Sequence, residues 1–324
     1  MTARRDILKA GIAALAVTQS LRGGAAEKSK EKDKYKEPPP PPAPLMTKAV
    51  PSTGERLAVI GVGTNNYSAS TVQERTARRE VLAGLTAAGG QVIDTAPSYR
   101  TSEEVIGELL AEIGNRKQAF IATKVTAPEG NLAQGIAMIE ESKRRLKTEV
   151  LDLVQIHSLN GVEVLFPHLN DQKRKGNIRY IGVTTSSGSQ HDQLVELINS
   201  QPLDFVQVDY SLGNREAADK VFPAALAKRV GVLVNLPFGG RRDGNLFSRV
   251  AGHDLPDWAG EIDARTWSQV FLKYVISHPA VNAAIPGMTQ LAHLDDNLQA
   301  ARGRIPDAMT RARIERYWDQ NFDA

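Results

Sequence analysis

Four residues of this chain stand where a parallel α/β protein keeps its reactive groups. Asp94 closes the apolar run Val92-Ile93, and Tyr99 follows on the loop after Pro97. Lys124 ends the strand-like run that begins at Phe120, and His157 ends the one that begins at Leu151. Thirty residues separate Asp94 from Lys124, and thirty-three separate Lys124 from His157. A strand with its crossover helix takes ~30 residues, so three consecutive strands deliver an acid, an ammonium and an imidazole to one rim of a sheet. Singly, each is a polar residue at the water boundary. Together with the phenol they are four groups of different pKa on the rim where such folds do chemistry, and they suit proton transfer and charge stabilisation. Metal-assisted hydrolysis fits worse, because His157, His168, His191, His253, His278 and His293 are scattered without a ligand spacing. A hydrolase with paired carboxylates would leave the tyrosine and the lysine unexplained.

The elements that must position these groups recur along the chain. Apolar runs at Leu57 to Ile60, Val92-Ile93, Phe120 to Lys124, Leu151 to His157, Tyr180 to Val183, Phe205 to Val208, Gly231 to Val234 and Ala280 to Ile285 alternate with helical patterns. Helices are expected over about Ser70 to Ala88, up to Ile113, over Asn131 to Leu146, up to Lys175 and over Leu291 to Ala301. The helix after Tyr99 would take Thr101 or Ser102 as N-cap, with Glu103 and Glu104 in its first turn. Eight strand–helix units in about 250 residues is the count of a closed barrel. The expected fold is therefore α/β, a (β/α)8 TIM barrel with a short N-terminal hairpin and a C-terminal helical tail from Pro306 to Trp318. A doubly wound nucleotide-binding sheet is the alternative, but Gly61-Val-Gly63-Thr-Asn-Asn66 lacks the third glycine of its fingerprint. The stretch Phe238 to Asp263 is long for a loop over the reactive rim, which marks it as functional.

The 324 residues are 41% hydrophobic and 24% charged, ordinary for a globular protein, and include no cysteine. Disulfides, thiolate metal sites and thiol nucleophiles are excluded. The first residues read differently: Arg4 and Arg5 precede Ile7-Leu8-Lys9, a mildly apolar run from Ala10 to Leu21, and small residues from Gly23 to Ala26. This is the pattern of a twin-arginine export signal, too short and too polar to span a membrane. The expected organisation is a signal over 1–26, a disordered charged and proline-rich tether over 27–48, and the barrel over 49–324. The formal net charge of the chain is +3. Arg4, Arg5, Lys9 and Arg22 against Asp6 carry the same excess, so the rest is near neutral and nucleic acid is not implied as a partner.

The segments IDTAPSY, ATK and QIHS, in this order and spacing, resemble the aldo-keto reductase superfamily. The resemblance implies a catalytic tetrad of Asp94, Tyr99, Lys124 and His157. Tyr99 would be the general acid, with a pKa lowered by Lys124; Asp94 would hold the lysine, and His157 would position the carbonyl. Thr64, Thr184, Thr185 and Gln207 would then belong to the coenzyme site, the last three at strand ends that hold the nicotinamide carboxamide. Asn214 and Arg215 complete a Tyr-Ser-x-x-Asn-Arg pattern. Asn235, Pro237, Phe238 and Gly239 stand where most relatives have Tyr-Ser-Pro-Leu-Gly, so the tyrosine that stacks on the ring is Asn235 here. Gly287, Met288, Thr289, His293 and Asn297 resemble the phosphate-binding segment, a loop and a helix N-terminus. Gly287 and His293 replace the usual lysine and arginine, which weakens preference for the 2′-phosphate and leaves NADPH narrowly ahead of NADH. Arg241 and Arg242 are expected at the surface, and Trp258 and Trp318 are candidate pocket walls or packing residues.

The implied activity is reduction of an aldehyde or ketone to an alcohol, with a small-molecule carbonyl substrate and the export machinery as partners. The protein would be periplasmic or otherwise exported. The alternative is an exported nicotinamide-binding redox sensor with little turnover.

Overall fold

A computed structural model describes residues 43–240 and 244–322. The expected signal, residues 1–26, lies outside the described residues, as do most of the tether and both Arg241 and Arg242.

The chain enters through a hairpin, β1 (Thr47–Ala49) paired antiparallel with β2 (Arg56–Ala58). Eight parallel strands follow: β3 (Val62–Gly63), β4 (Val92–Asp94), β5 (Phe120–Val125), β6 (Leu151–His157), β7 (Ile178–Thr185), β8 (Phe205–Asp209), β9 (Gly231–Asn235) and β10 (Val281–Ala284). Each is hydrogen-bonded to its neighbours in sequence. The ring closes between first and last through bridges Ile60–Ala284 and Gly63–Gly287. Gly61 donates to the Ala284 carbonyl at 2.8 Å, and Ala284 donates to that of Val59 at 2.9 Å. The expected barrel is present. The run Leu57 to Ile60, read as its first strand, divides instead between the hairpin and the bridge.

The hairpin begins inside the stretch assigned to the tether. Leu45 is buried, Met46 donates its N–H to Ala301, and the Lys48 ammonium donates to the carbonyls of Ile276, His278 and Val281 at 2.7–3.0 Å. An apolar side chain and a fully committed ammonium anchor residues 45–48 to the fold, so disorder cannot extend to residue 48.

Strand alternation explains the barrel interior. Side chains two apart share a face, and Val92, Phe120, Ala122, Leu153, Tyr180, Phe205, Leu233, Ala283 and Ile285 form one inner cluster with Val50 and Leu57 of the hairpin. Phe120, Tyr180 and Phe205 pack ring to ring at 5.6–6.0 Å. The hairpin thus plugs the strand-start end, and the same parity leads upward to Asp94, Lys124, Gln155, His157, Gln207 and Asn235. The outer layer comprises α1 (Val72–Ala87), α2 (Ser102–Ile113), α3 (Leu132–Leu146), α4 (Val162–Arg174), α5 (His191–Ser200), α6 (Val221–Lys228), the short α7 (Leu246–Arg249), α8 (Trp267–Ser277), α9 (Leu291–Gln299) and the tail helix α10 (Ala308–Asn321).

Helix starts follow side-chain chemistry. Thr71 and Glu74 make a reciprocal capping box on α1, and Asn131 caps α3 through the Gln134 N–H. On α2, Thr101 is the N-cap residue but makes no side-chain cap bond. Ser102 turns inward and donates to Thr64, while Glu103 is buried and accepts from Thr123 at 2.6 Å. The N-cap and the first-turn carboxylates are thus where the sequence places them, and Ser102 and Glu103 serve in addition as internal ties. Trp258 packs edge-on to Tyr317, and the fully buried Trp318 packs on Phe271 and Phe322, so both tryptophans are packing residues.

Candidate active site

The strand ends meet in a cleft of about 250 Å³ at the C-terminal rim. Asp94, Tyr99, Lys124 and His157 line one part of it. Thr64, Thr184, Thr185, Asn235, Pro237, Phe238, Gly239 and Gly287 line the rest, joined by Gly63, Asn65, Ser158, Ser186, Leu236 and Ile285, which the sequence reading did not single out.

Lys124 and Asp94 form a buried ion pair. The ammonium donates to both carboxylate oxygens at 2.8 and 2.9 Å and to the Thr95 carbonyl at 2.9 Å, which uses its three N–H groups. Burial opposes both charges. It leaves Asp94 above the usual carboxylate range, against the pull of Lys124 and of amide donors. It also works against the Lys124 ammonium, but Asp94 and Tyr99 outweigh it and hold the lysine above its ordinary value.

Tyr99 is placed by a turn in which its N–H donates to Ala96 and its carbonyl accepts from Ser102. The Lys124 ammonium sits 4.9 Å from the centre of its ring, and the His157 ring lies edge-on at 6.4 Å. Burial raises the phenol's pKa; the lysine charge lowers it, and burial prevails. The expected net lowering is therefore not reached in the free protein, because burial of the phenol outweighs the charge and hydrogen bond that Lys124 directs at it. His157 is driven down to about 4 by burial and by the Lys124 charge. At neutral pH it is an uncharged imidazole able to donate one hydrogen bond.

Gln207 is not where the sequence reading put it. Its side chain is fully buried beneath the cleft; it donates to Asp94 Oδ1 at 3.0 Å and accepts from Gln155 Nε2 at 3.3 Å. The inward parity of β8 and β6 places both amides one layer below the rim. Gln155 was missed, although it stands two residues before His157 on the same face. Thr64 is tied as well: its hydroxyl donates to the Asp94 carbonyl at 2.8 Å and accepts from Ser102 at 2.9 Å. Thr185 bonds the Gln190 side chain.

The phosphate-type segment lies partly outside the cleft. Gly287 faces it, Met288 is buried in the core, and His293 is exposed on the first turn of α9. The Thr289 carbonyl accepts from Arg78 at 2.8 Å, and Asn297 accepts from Ser268 to tie α9 to α8. Arg78 was also missed; its guanidinium, though buried, reaches this loop from α1.

Three left-handed residues without glycine's freedom each follow a cleft residue: Arg100 after Tyr99, Ser158 after His157, and Leu236 after Asn235 (φ +55°, +53° and +50°). Such strain persists where surrounding structure enforces it, and it gathers at functional sites.

A model of the aldo/keto reductase family matches residues 59–317. Aldo-keto reductase YhdN of Bacillus subtilis is 30% identical over 202 residues, 57% of this chain and 60% of that protein. Methylglyoxal reductase YeaE of Escherichia coli is 28% identical over 260 residues, 78% of this chain and 89% of that protein. Among solved structures, the holo form of aldo-keto reductase AKR11C1 from Bacillus halodurans superposes with a TM-score of 0.69 at 20% identity, covering 84% of this chain and 96% of that one. An aldo/keto reductase from Klebsiella pneumoniae in complex with NADP and acetate gives 0.66 at 24%, covering 82% and 93%.

Proposed function

The chain belongs to the aldo/keto reductase family, and from that premise we propose that it reduces an aldehyde or ketone with NADPH, Tyr99 supplying the proton. One observation carries the reading: a tyrosine, a buried lysine–aspartate pair and an uncharged histidine converge on one cleft at the barrel rim.

The residues present suit a nicotinamide dinucleotide. Thr184, Thr185 and Asn235 bring hydroxyls and an amide to the cleft wall, the inventory for a carboxamide. Gly63 and Gly287 make the adjoining wall of bare backbone: a Cβ on Gly63 would meet the Ile285 carbonyl at 2.6 Å, so only glycine fits there. The following helix, α9, starts at Leu291 without a side-chain cap, leaving backbone N–H groups for anionic phosphate.

When bound, the reduced nicotinamide supplies the hydride for the carbonyl carbon. The protein handles the oxygen. Tyr99 donates its proton there, and the fixed Lys124 charge lowers the cost of the phenolate left behind. His157 donates a hydrogen bond to the same oxygen as negative charge grows on it. Asp94 keeps the lysine charged and in place. Phe238 and Leu236 bring apolar side chains to the cleft wall.

The test is carbonyl-dependent loss of NADPH absorbance with a panel of small and aromatic aldehydes. Methylglyoxal belongs in it because of the name of the Escherichia coli relative. Sustained turnover supports the reading; coenzyme binding with no more than one slow turnover favours a sensor. We also propose that residues 1–26 export the protein by the twin-arginine route, on the strength of the Arg4-Arg5 pattern.

A further inference from the structure

Asn235 closes β9 on the cleft wall, and its amide oxygen is buried without a hydrogen-bond partner among the described residues. Its amide nitrogen makes no bond among them either. A buried amide oxygen left unpaired is destabilising, so a site that keeps one holds it for something absent from the free protein. The left-handed backbone at Leu236, directly after it, fixes the direction in which strand β9 ends.

Two strands away, Thr184, the penultimate residue of β7, lines the same cleft, and its hydroxyl also lacks a partner among the described residues. Between them, on β8, Gln207 points down to Asp94 and Gln155. The strand between the two open polar groups therefore offers its amide to the catalytic carboxylate and nothing to the cleft.

We propose, resting on the reading of the site as a nicotinamide site, that Asn235 and Thr184 clamp the carboxamide of the coenzyme. Asn235 accepts from the carboxamide NH2, and the Thr184 hydroxyl donates to its C=O. Asparagine at this position replaces stacking on the ring with pairing to its substituent. The directionality of the pair fixes which face of the ring turns toward Tyr99, and so makes Asn235 a specificity-determining residue for the coenzyme.

The 3-acetylpyridine analogue of NADP⁺ tests this, because a methyl group replaces the carboxamide NH2 and the C=O remains. Affinities are measured by equilibrium titration, without turnover. Wild type should bind the analogue about 10-fold or more weakly than NADP⁺, since a buried acceptor is then left unpaired. Asn235→Ala should bring the two affinities within about 2-fold, by weakening NADP⁺ alone. Asn235→Asp, which keeps an acceptor, should retain the discrimination. Thr184→Val should weaken both ligands alike, because both carry the C=O. An equal ratio in wild type and Asn235→Ala overturns the clamp, as does a wild type that does not discriminate. So does an Asn235→Ala effect confined to the KM of the carbonyl substrate, which would place the amide against substrate. Failure of wild type to bind NADP⁺ at all would instead overturn the nicotinamide reading itself.

Discussion

Gln207 Nε2 donates to Asp94 Oδ1 at 3.0 Å, and Gln155 Nε2 donates in turn to Gln207 Oε1 at 3.3 Å. Beneath the cleft, a chain of two amides thus ends on the carboxylate that holds Lys124. Asp94 accepts from two sides, and its orientation does not depend on Lys124 alone. In the proposed mechanism Gln207 acts as a positioning residue.

Gln207→Leu removes a donor from a buried carboxylate, at a cost of about 1.5–3 kcal/mol. Urea unfolding should report that loss. The turnover number should fall by about 10-fold, and the rate profile should shift along the pH axis as Asp94 loses its second donor. NADPH affinity should stay within about 2-fold of wild type. A large loss of coenzyme affinity with normal pH dependence would return Gln207 to the carboxamide-binding role that the sequence suggested.

Lys124→Met leaves Asp94 buried without its cation. Breaking such a pair typically costs 3–5 kcal/mol. The double variant Asp94→Asn with Lys124→Met should recover a substantial part of that stability while remaining inactive. Equal stability of the Lys124 single variant and wild type in urea would mean that Asp94 and Lys124 are both un-ionised in the fold.

His157 has a folded pKa of about 4, below its ordinary 6.5, because of burial and the Lys124 charge. Between those values the unfolded chain takes up a proton that the folded chain refuses. Stability from this group is therefore complete above about pH 6.5 and is lost as pH falls toward 4. His278, also driven to about 4 by burial, contributes with the same sign in the same window. His157→Gln should flatten the fall of stability between these limits, as measured by thermal unfolding. An unchanged slope would show that the imidazole is solvated and protonates normally.

Replacing Arg4 and Arg5 by lysines should leave full-length, coenzyme-competent protein in the cytoplasm, where fractionation with a binding assay will find it. Recovery of wild type and variant equally in the cytoplasm, with residues 1–26 attached, would remove the export proposal.

Much of this fold is legible in the sequence because each strand is a short β-branched run whose alternate residues carry one interior. Parity from Phe120 to Lys124 and from Leu151 to His157 brings the tetrad to one rim without any knowledge of contacts. What parity cannot resolve is which layer along the barrel axis a polar residue occupies. Gln207 lies one layer too low to reach the cleft, and Gln155, on the same layer, passed for an ordinary strand residue. Local pattern placed the start of α2 correctly, with Thr101 as N-cap and Glu103 and Glu104 in the first turn, but not the partners of Ser102 and Glu103. Their positions suit a helix start, but Thr64, Thr123 and Arg145, distant in sequence, give them tighter partners. At the amino end, charge and proline content suggested disorder through residue 48. Lys48 is ordered by three carbonyls more than two hundred residues away, a contact invisible to composition.

Tyr99→Phe is the most direct test of the proposed chemistry, since it removes the hydroxyl and keeps the ring beside Lys124 and His157. Carbonyl reduction by purified protein should be compared with wild type on the best aldehyde found, with NADPH affinity titrated alongside. Turnover should fall by at least ~10²-fold, the lower end for a positioned general acid, while affinity changes little. Wild-type turnover in Tyr99→Phe would show that the proton comes from elsewhere and that the tetrad has been misread.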